Sequence, residues 1–199
     1  MLLYHYSVDS YKGGGTLLND YKQQARLAEP FLLALRTGAE CFWSVYYSAM
    51  AYTRELCALG LRKHENYIKD AVEAIFEAVR QDQFSGCSVS RIGCVYYCES
   101  EAEARAYLLD DCIASGDFTY DQVCLLAVEV EDSRVFRYDQ AYFNHAMEIM
   151  ERKRDIKAVS ALAEAYFSRK RTSEPLIEVL SDGRNQILRE LPLRQQAGS

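Results

Sequence analysis

The sequence predicts an α+β domain. Strand-like runs stand at both ends of the chain, "MLLYHYS" at the start and "PLIEVLS" with "NQILREL" near the end, and a long helical pattern lies between them. With 49% apolar and 26% charged residues the composition is that of a globular chain, and 199 residues suffice to bury one core. One domain over residues 1–191 is expected, with a helical insertion over about 21–84 and a disordered tail from 192.

Local chemistry justifies each element in turn. Residues 2–6 form a short strand, and the glycines of "YKGGGTL" follow it with a loop. From Tyr21 to Phe84 the apolar period is helical. Pro30 opens a new helix at "EPFLLALR", Gly60 ends one rich in aromatics, and Ile68, Val72, Ile75, Phe76 and Val79 stripe the next. Phe42, Trp43, Tyr46, Tyr47 and Tyr52 read as a core stripe. "SRIGCVYYC" is a strand by its β-branched and aromatic content. Ser100 with Glu103 makes a capping box for "EAEARAYLLDDCI", which closes on a solvated Asp110-Asp111 pair. "QVCLLAVEVE" is continuously apolar, as suits a strand covered on both faces. "SRVFRYD" is another short strand, and Asp139 caps a long helix reaching about Arg169. "PLIEVLS" and "NQILREL" form a hairpin about Ser181-Asp182-Gly183.

Composition also excludes some classes of function. The net charge of −6 disfavours a partner held by phosphate neutralisation. No run is long enough to span a bilayer and the opening residues lack a signal layout, so no membrane partner is expected. Seven cysteines without a CxxC pair point to reduced thiols and a cytoplasmic setting. His5, His64 and His145 are far apart in sequence, and no metal is expected.

Three places ask for a chemical account. His5-Tyr6-Ser7 ends the first strand, Tyr96 and Tyr107 lie eleven residues apart across a strand-to-helix turn, and Glu178 sits inside "PLIEVLS". As a strand, that segment puts Leu176, Glu178 and Leu180 on one face. A carboxylate flanked by leucines is costly unless it is paired or opens on a cleft. A structural hydrogen bond for His5, core packing for the tyrosines and an exposed edge for Glu178 are the alternative readings. Two further segments carry weaker signals: the glycines at 13–15 as a lid, and "SRKRTSE" as a basic helix end or an acceptor-facing loop.

Taken together, these residues resemble the ADP-ribosyltransferase superfamily in its His-Tyr-Glu group. Leu3-Tyr4-His5-Tyr6-Ser7 is similar to that family's "LxHGS" or "LYHxT" strand. Cys94-Val95-Tyr96-Tyr97-Cys98, followed by Tyr107, is similar to its "GxYFA" strand and helix. "EVLSDGRNQIL" resembles the "EFLV" strand of bacterial DNA-modifying members. The resemblance covers roughly the first ten residues, 90–110 and 172–191. "FEAVR…SRIG" also resembles an uncharacterised bacterial domain family of about this length.

The resemblance implies a split β-sheet, NAD as the bound substrate, and transfer of ADP-ribose to a macromolecular acceptor, a protein rather than a nucleic acid. Bacterial toxins and effectors of this kind act in a recipient cytosol. Tyr96 and Tyr107 would hold the nicotinamide, His5 the adenosine-side ribose, and Ser7 with the Tyr6 backbone the carboxamide. Glu178 would stabilise the oxocarbenium-like state, with Glu174 as the competing glutamate. Ser90 and Arg91, with Ser88, would contact the diphosphate or supply the Arg, Ser and Glu chemistry of related members. NAD hydrolysis, or binding without chemistry, are the alternative outcomes. The chain departs from the family at Tyr6, where glycine is usual, in the long helical gap before Tyr96, and at Leu176, where arginine-modifying members have glutamate.

Overall fold

A computed structural model describes residues 1–7, 15–17, 21–37, 41–60, 65–116 and 118–193. Gly13 and Gly14 of the expected lid, His64, and the tail from 194 lie outside them. In chain order the elements are β1 (Leu2–Ser7), α1 (Tyr21–Arg36), α2 (Phe42–Ala58), α3 (Tyr67–Val79), β2 (Val95–Tyr97), α4 (Glu101–Leu108), β3 (Cys124–Val130), β4 (Val135–Asp139), α5 (Ala141–Arg152), α6 (Ile156–Phe167), β5 (Ile177–Ser181) and β6 (Asn185–Leu191). The architecture is α+β, with two three-stranded sheets among the described residues. No helix among the described residues is long and apolar enough to cross a membrane. The chain divides into two compact units: unit one is Met1–Leu18, Val95–Phe136 and Glu178–Ser199, and unit two is Asn19–Cys94 and Arg137–Ile177.

Unit one is built around β3. The apolar run expected to be covered on both faces is buried from Cys124 to Val128, and β3 is the central strand of an antiparallel sheet in the order β1-β3-β6. Leu3 lies opposite Val128 and His5 opposite Leu126. Helix α4 closes over this sheet. Ala104 and Leu108 pack with Cys98, Cys112, Val123, Leu125, Ala127 and Leu191. Its N-terminus is capped as the sequence predicts, the Ser100 side chain accepting from the Glu103 amide. A π-turn over Leu109–Ala114 continues the helix.

The second sheet has the order β2-β5-β4. Among the described residues it meets the first at one bridge, where Tyr4 and Cys98 exchange hydrogen bonds of 3.0 and 2.8 Å. The expected hairpin is therefore absent: β5 pairs with β2, whereas β6 pairs with β3. The Ser181-Asp182-Gly183 turn carries the chain from one sheet to the other. It does so beside the β3–β4 connection, which crosses in the same region. The Glu131 amide donates to the Arg184 carbonyl at 2.9 Å, and Arg134 makes a two-pronged ion pair with Asp182. Gly183 is required by this close approach, because a Cβ there would lie 2.6 Å from the Arg134 Cβ. Gly183→Ala is expected to cost about 1–3 kcal/mol, read as a lower urea midpoint with an unchanged slope.

Unit two is helical. Pro30 does not open a helix; it lies inside α1, which runs on to Arg36. Pro30 and Arg26 one turn earlier are both exposed, so water can serve the carbonyl that the proline leaves unbonded. In α2 the buried residues are Val45, Ala49, Tyr52, Thr53 and Leu56, whereas Trp43 and Tyr47 of the expected stripe are exposed. Helix α3 is buried on nearly every side from Asp70 to Glu77. Its acids are satisfied: Thr53 donates to Asp70, Arg91 to Glu73, and Arg80 to Glu77. The long helix expected after Asp139 is two helices, because Asp155 accepts from the Ala158 amide at 3.0 Å and starts α6 afresh. Asp139 itself is fully buried and accepts from the amides of Ala141, Thr172 and Leu176 and from the Thr172 hydroxyl. Burial alone would raise its pKa, but these hydrogen bonds outweigh it and hold the carboxyl below its usual range. Arg154 and Arg169, at the ends of α5 and α6, both have φ of 57°.

Candidate active site

The end of β1, the β2 strand, α4 and β5 from Glu178 onward belong to unit one, and they bring His5, Tyr6, Ser7, Tyr96, Tyr107 and Glu178 into the same compact unit. The strand expected over "SRIGCVYYC" is shorter than the sequence suggests. Arg91–Gly93 is a 3₁₀ turn, and pairing begins only at Val95.

His5 explains why the sheet divides. After the Tyr4–Cys98 pair, the next rung of a continued antiparallel ladder would run from the Tyr6 amide to the Tyr96 carbonyl. The His5 ring takes that carbonyl instead, with Nδ1 2.8 Å from it. Since a carbonyl only accepts, Nδ1 carries the proton. Burial pushes the imidazole pKa below its ordinary 6.5, against the opposing pull of the Tyr96 carbonyl, so the ring is neutral at neutral pH. A neutral ring protonated at Nδ1 presents the lone pair of Nε2 to an incoming hydroxyl. Tyr97 supports the ring edge-on at 5.9 Å.

Linkage gives this arrangement a measurable consequence. As pH falls, the unfolded chain protonates His5 near 6.5 while the folded chain resists. The stability His5 confers is complete above that value and is lost as pH falls toward the lowered one. Melting temperatures from about pH 7.5 down to about pH 5 should decline less steeply in His5→Gln than in the parent.

Tyr96 lies opposite Leu180, and two residues along the same strand face is Glu178. Glu178 is 7% exposed, so it does not point to bulk water. By strand alternation His5 and Ser7 fall on the face opposite Tyr4 and Cys98, and the contact between His5 and Tyr96 runs through the latter's backbone. Tyr107 packs half-buried on the core under α4. Its phenol pKa is raised, first by burial and then by the negative charge of Glu103, Asp111 and Glu178 around it. A planar ring lying against Tyr107 would thus sit in a negative field, which favours a cationic ring.

The Tyr6 hydroxyl donates to Asp111 at 2.6 Å, tying the end of β1 to the π-turn just beyond Tyr107. Burial and that carboxylate push the phenol pKa far up. Cys98 is likewise pushed up to about 12 by burial, with Glu103 and Asp111 adding to it, so it is no nucleophile at neutral pH. Sequence reasoning passed over Asp111 as one of a solvated pair. Its spacing of four from Tyr107 on a helix was the available signal.

Other expected site residues belong to unit two. Arg91 is 4% exposed, forks onto Glu73 at 2.9 and 3.2 Å, donates to the Tyr166 hydroxyl at 2.8 Å and lies over the Phe143 ring. Ser88 donates to the Phe84 carbonyl at 2.7 Å, and the Ser90 hydroxyl is buried. Glu174 is exposed in the loop that Asp139 anchors through Thr172 and Leu176. The family described as "Protein of unknown function (DUF2441)" matches residues 22–192. No curated protein matches the chain.

Proposed function

We propose that this chain, which belongs to the DUF2441 family, is an NAD-dependent ADP-ribosyltransferase of the split-sheet type, acting on a macromolecular acceptor, a protein, in a cytosol. The observation that carries the reading is Glu178: a carboxylate buried on β5, on the strand face of Tyr96, whose charge acts on the phenol of Tyr107. Two three-stranded sheets meeting at one bridge also support the split sheet that the resemblance implies.

In this mechanism the cationic nicotinamide lies between Tyr96 and Tyr107 in the negative field around them. The Tyr6 backbone meets the carboxamide, while His5 and Ser7, which fall on the other face of the strand, bear on the slot through the Tyr96 carbonyl that His5 holds. Glu178 accepts from the nicotinamide-ribose 2′-OH. As the C1′–N bond breaks, nicotinamide leaves as a neutral ring with the bonding pair, and the Glu178 charge stabilises the oxocarbenium-like sugar. The acceptor's nucleophilic atom then bonds C1′ and gives up its proton. Glu174, on the exposed loop before β5, is the competing carboxylate.

The test is release of free nicotinamide from NAD by the purified protein, with and without cell lysate. Release that depends on lysate and labels a macromolecule establishes the transferase. Equal release without lysate would make water the acceptor and the protein an NAD glycohydrolase. No release in either arm would leave a binding domain without chemistry.

A further inference from the structure

We propose that unit two binds single-stranded nucleic acid on an aromatic and basic patch made by the start of α2 and the turn between α5 and α6. This does not rest on the NAD reading. Trp43 and Tyr47 lie four residues apart on α2, with ring centroids 6.2 Å apart and planes tilted by 30°. They remain 49% and 62% exposed. Phe42 and Tyr46 stack beside them at 5.6 Å, so four rings adjoin. Large aromatic surface left in water forgoes the burial that Val45, Ala49 and Tyr52 gain on the same helix, and a contiguous exposed patch marks an interaction site.

Arg154 adds a second, independent sign. Its guanidinium lies 5.0 Å from the centroids of both Phe42 and Trp43. Its φ of 57° is the left-handed position after a helix that glycine usually occupies, and its amide closes α5 on the Ile149 carbonyl. The helix dipole accounts for a cation such as Arg152 in the last turn of α5. It does not call for an arginine laid across two exposed rings. Arg152 and Lys153 are exposed beside it, with Glu148 and Glu151 exposed on the preceding turn, and Asp155 caps α6 by accepting from the Ala158 amide.

Charge is unevenly divided between the units. Unit one carries 6 Lys and Arg against 14 Asp and Glu, and unit two carries 17 against 15. The acidic balance of the chain therefore lies in unit one, and unit two is close to neutral. Exposed rings interleaved with cations match the two surfaces of a single strand, since bases stack on π-faces and phosphates meet Lys and Arg. An acidic peptide would use the cations and leave the rings idle.

Trp43 is the chain's one tryptophan, so its emission reads the patch directly. The full chain is titrated with an oligothymidylate of about ten nucleotides, and in parallel with poly-glutamate. The oligonucleotide should quench Trp43, with affinity falling steeply between about 50 and about 200 mM salt. Tyr47→Ala and Arg154→Gly should each weaken binding about tenfold. Arg154→Gly should do so without lowering the melting temperature by more than about 2 °C, because glycine takes the left-handed position freely. Absence of quenching, quenching by poly-glutamate at equal concentration, or oligonucleotide binding untouched by both substitutions each overturns the proposal.

Discussion

Glu178→Gln is expected to release nicotinamide from NAD about 10²–10³-fold more slowly than the parent chain, with KM for NAD changed only slightly. The magnitude is that of removing one preorganised electrostatic group from a site where charge develops. The split between kcat and KM follows from chemistry. The glutamine carbonyl still accepts from a ribose hydroxyl in the ground state, but it carries no charge for the oxocarbenium-like state, and loss of a transition-state interaction appears in kcat. The side chain keeps its shape at a buried position, so the melting temperature should stay close to the parent's. A Glu178→Gln protein that turns over at the parental rate would remove Glu178 from the mechanism. Running Glu174→Gln beside it shows whether the exposed glutamate takes that place.

Glu73→Ala is expected to destabilise the fold by about 3–5 kcal/mol, read from urea unfolding. The figure does not measure the strength of the ion pair. Arg91 is buried, and removing its carboxylate partner strands a guanidinium among Phe143, Tyr166 and the α3 helix. The corollary is that Arg91→Met combined with Glu73→Leu should recover most of the loss, since it removes both charges and refills the volume. The same pair of experiments bears on the diphosphate role that the resemblance implies for Arg91. A folded Arg91→Met/Glu73→Leu protein with an unchanged KM for NAD makes the arginine structural. A large rise in KM in that protein would instead place it at the cofactor.

How much of this was legible depends on range. β1 and the buried β3 announce themselves through local composition, as do the Ser100 cap and the stop at Gly60. The hairpin was misread because a Ser-Asp-Gly turn signals only that the chain turns. Which strand receives it is decided by partners more than fifty residues away, Cys124–Val130 for β6 and Val95–Tyr97 for β5. Pro30 was misread because its cost falls with solvent access, which a sequence does not display. The site was legible where residue type carries meaning, as in a histidine within a strand and a glutamate between apolar neighbours. It was not legible where function depends on pairing. Nothing near Arg91 names Glu73, eighteen residues back, as its partner, and nothing near Tyr6 names Asp111.

The register of β1 has a consequence for how the protein is made. Leu3 finds its place only against Val128, and β3 in turn is completed on its other side only by β6. At about 5–20 residues per second, a ribosome needs roughly ten seconds to reach β3 after β1 has been synthesised. During that time Leu3 and its neighbours have no sheet to join, while α1, α2 and α3, which pack on one another, are already complete. The first strand made is thus the one that waits longest for its partner. His5 is translated before its Tyr96 partner, and the candidate site residues come together only once Glu178 has been added. Between the making of β1 and of β5 a nascent chain therefore carries parts of the site without the site itself.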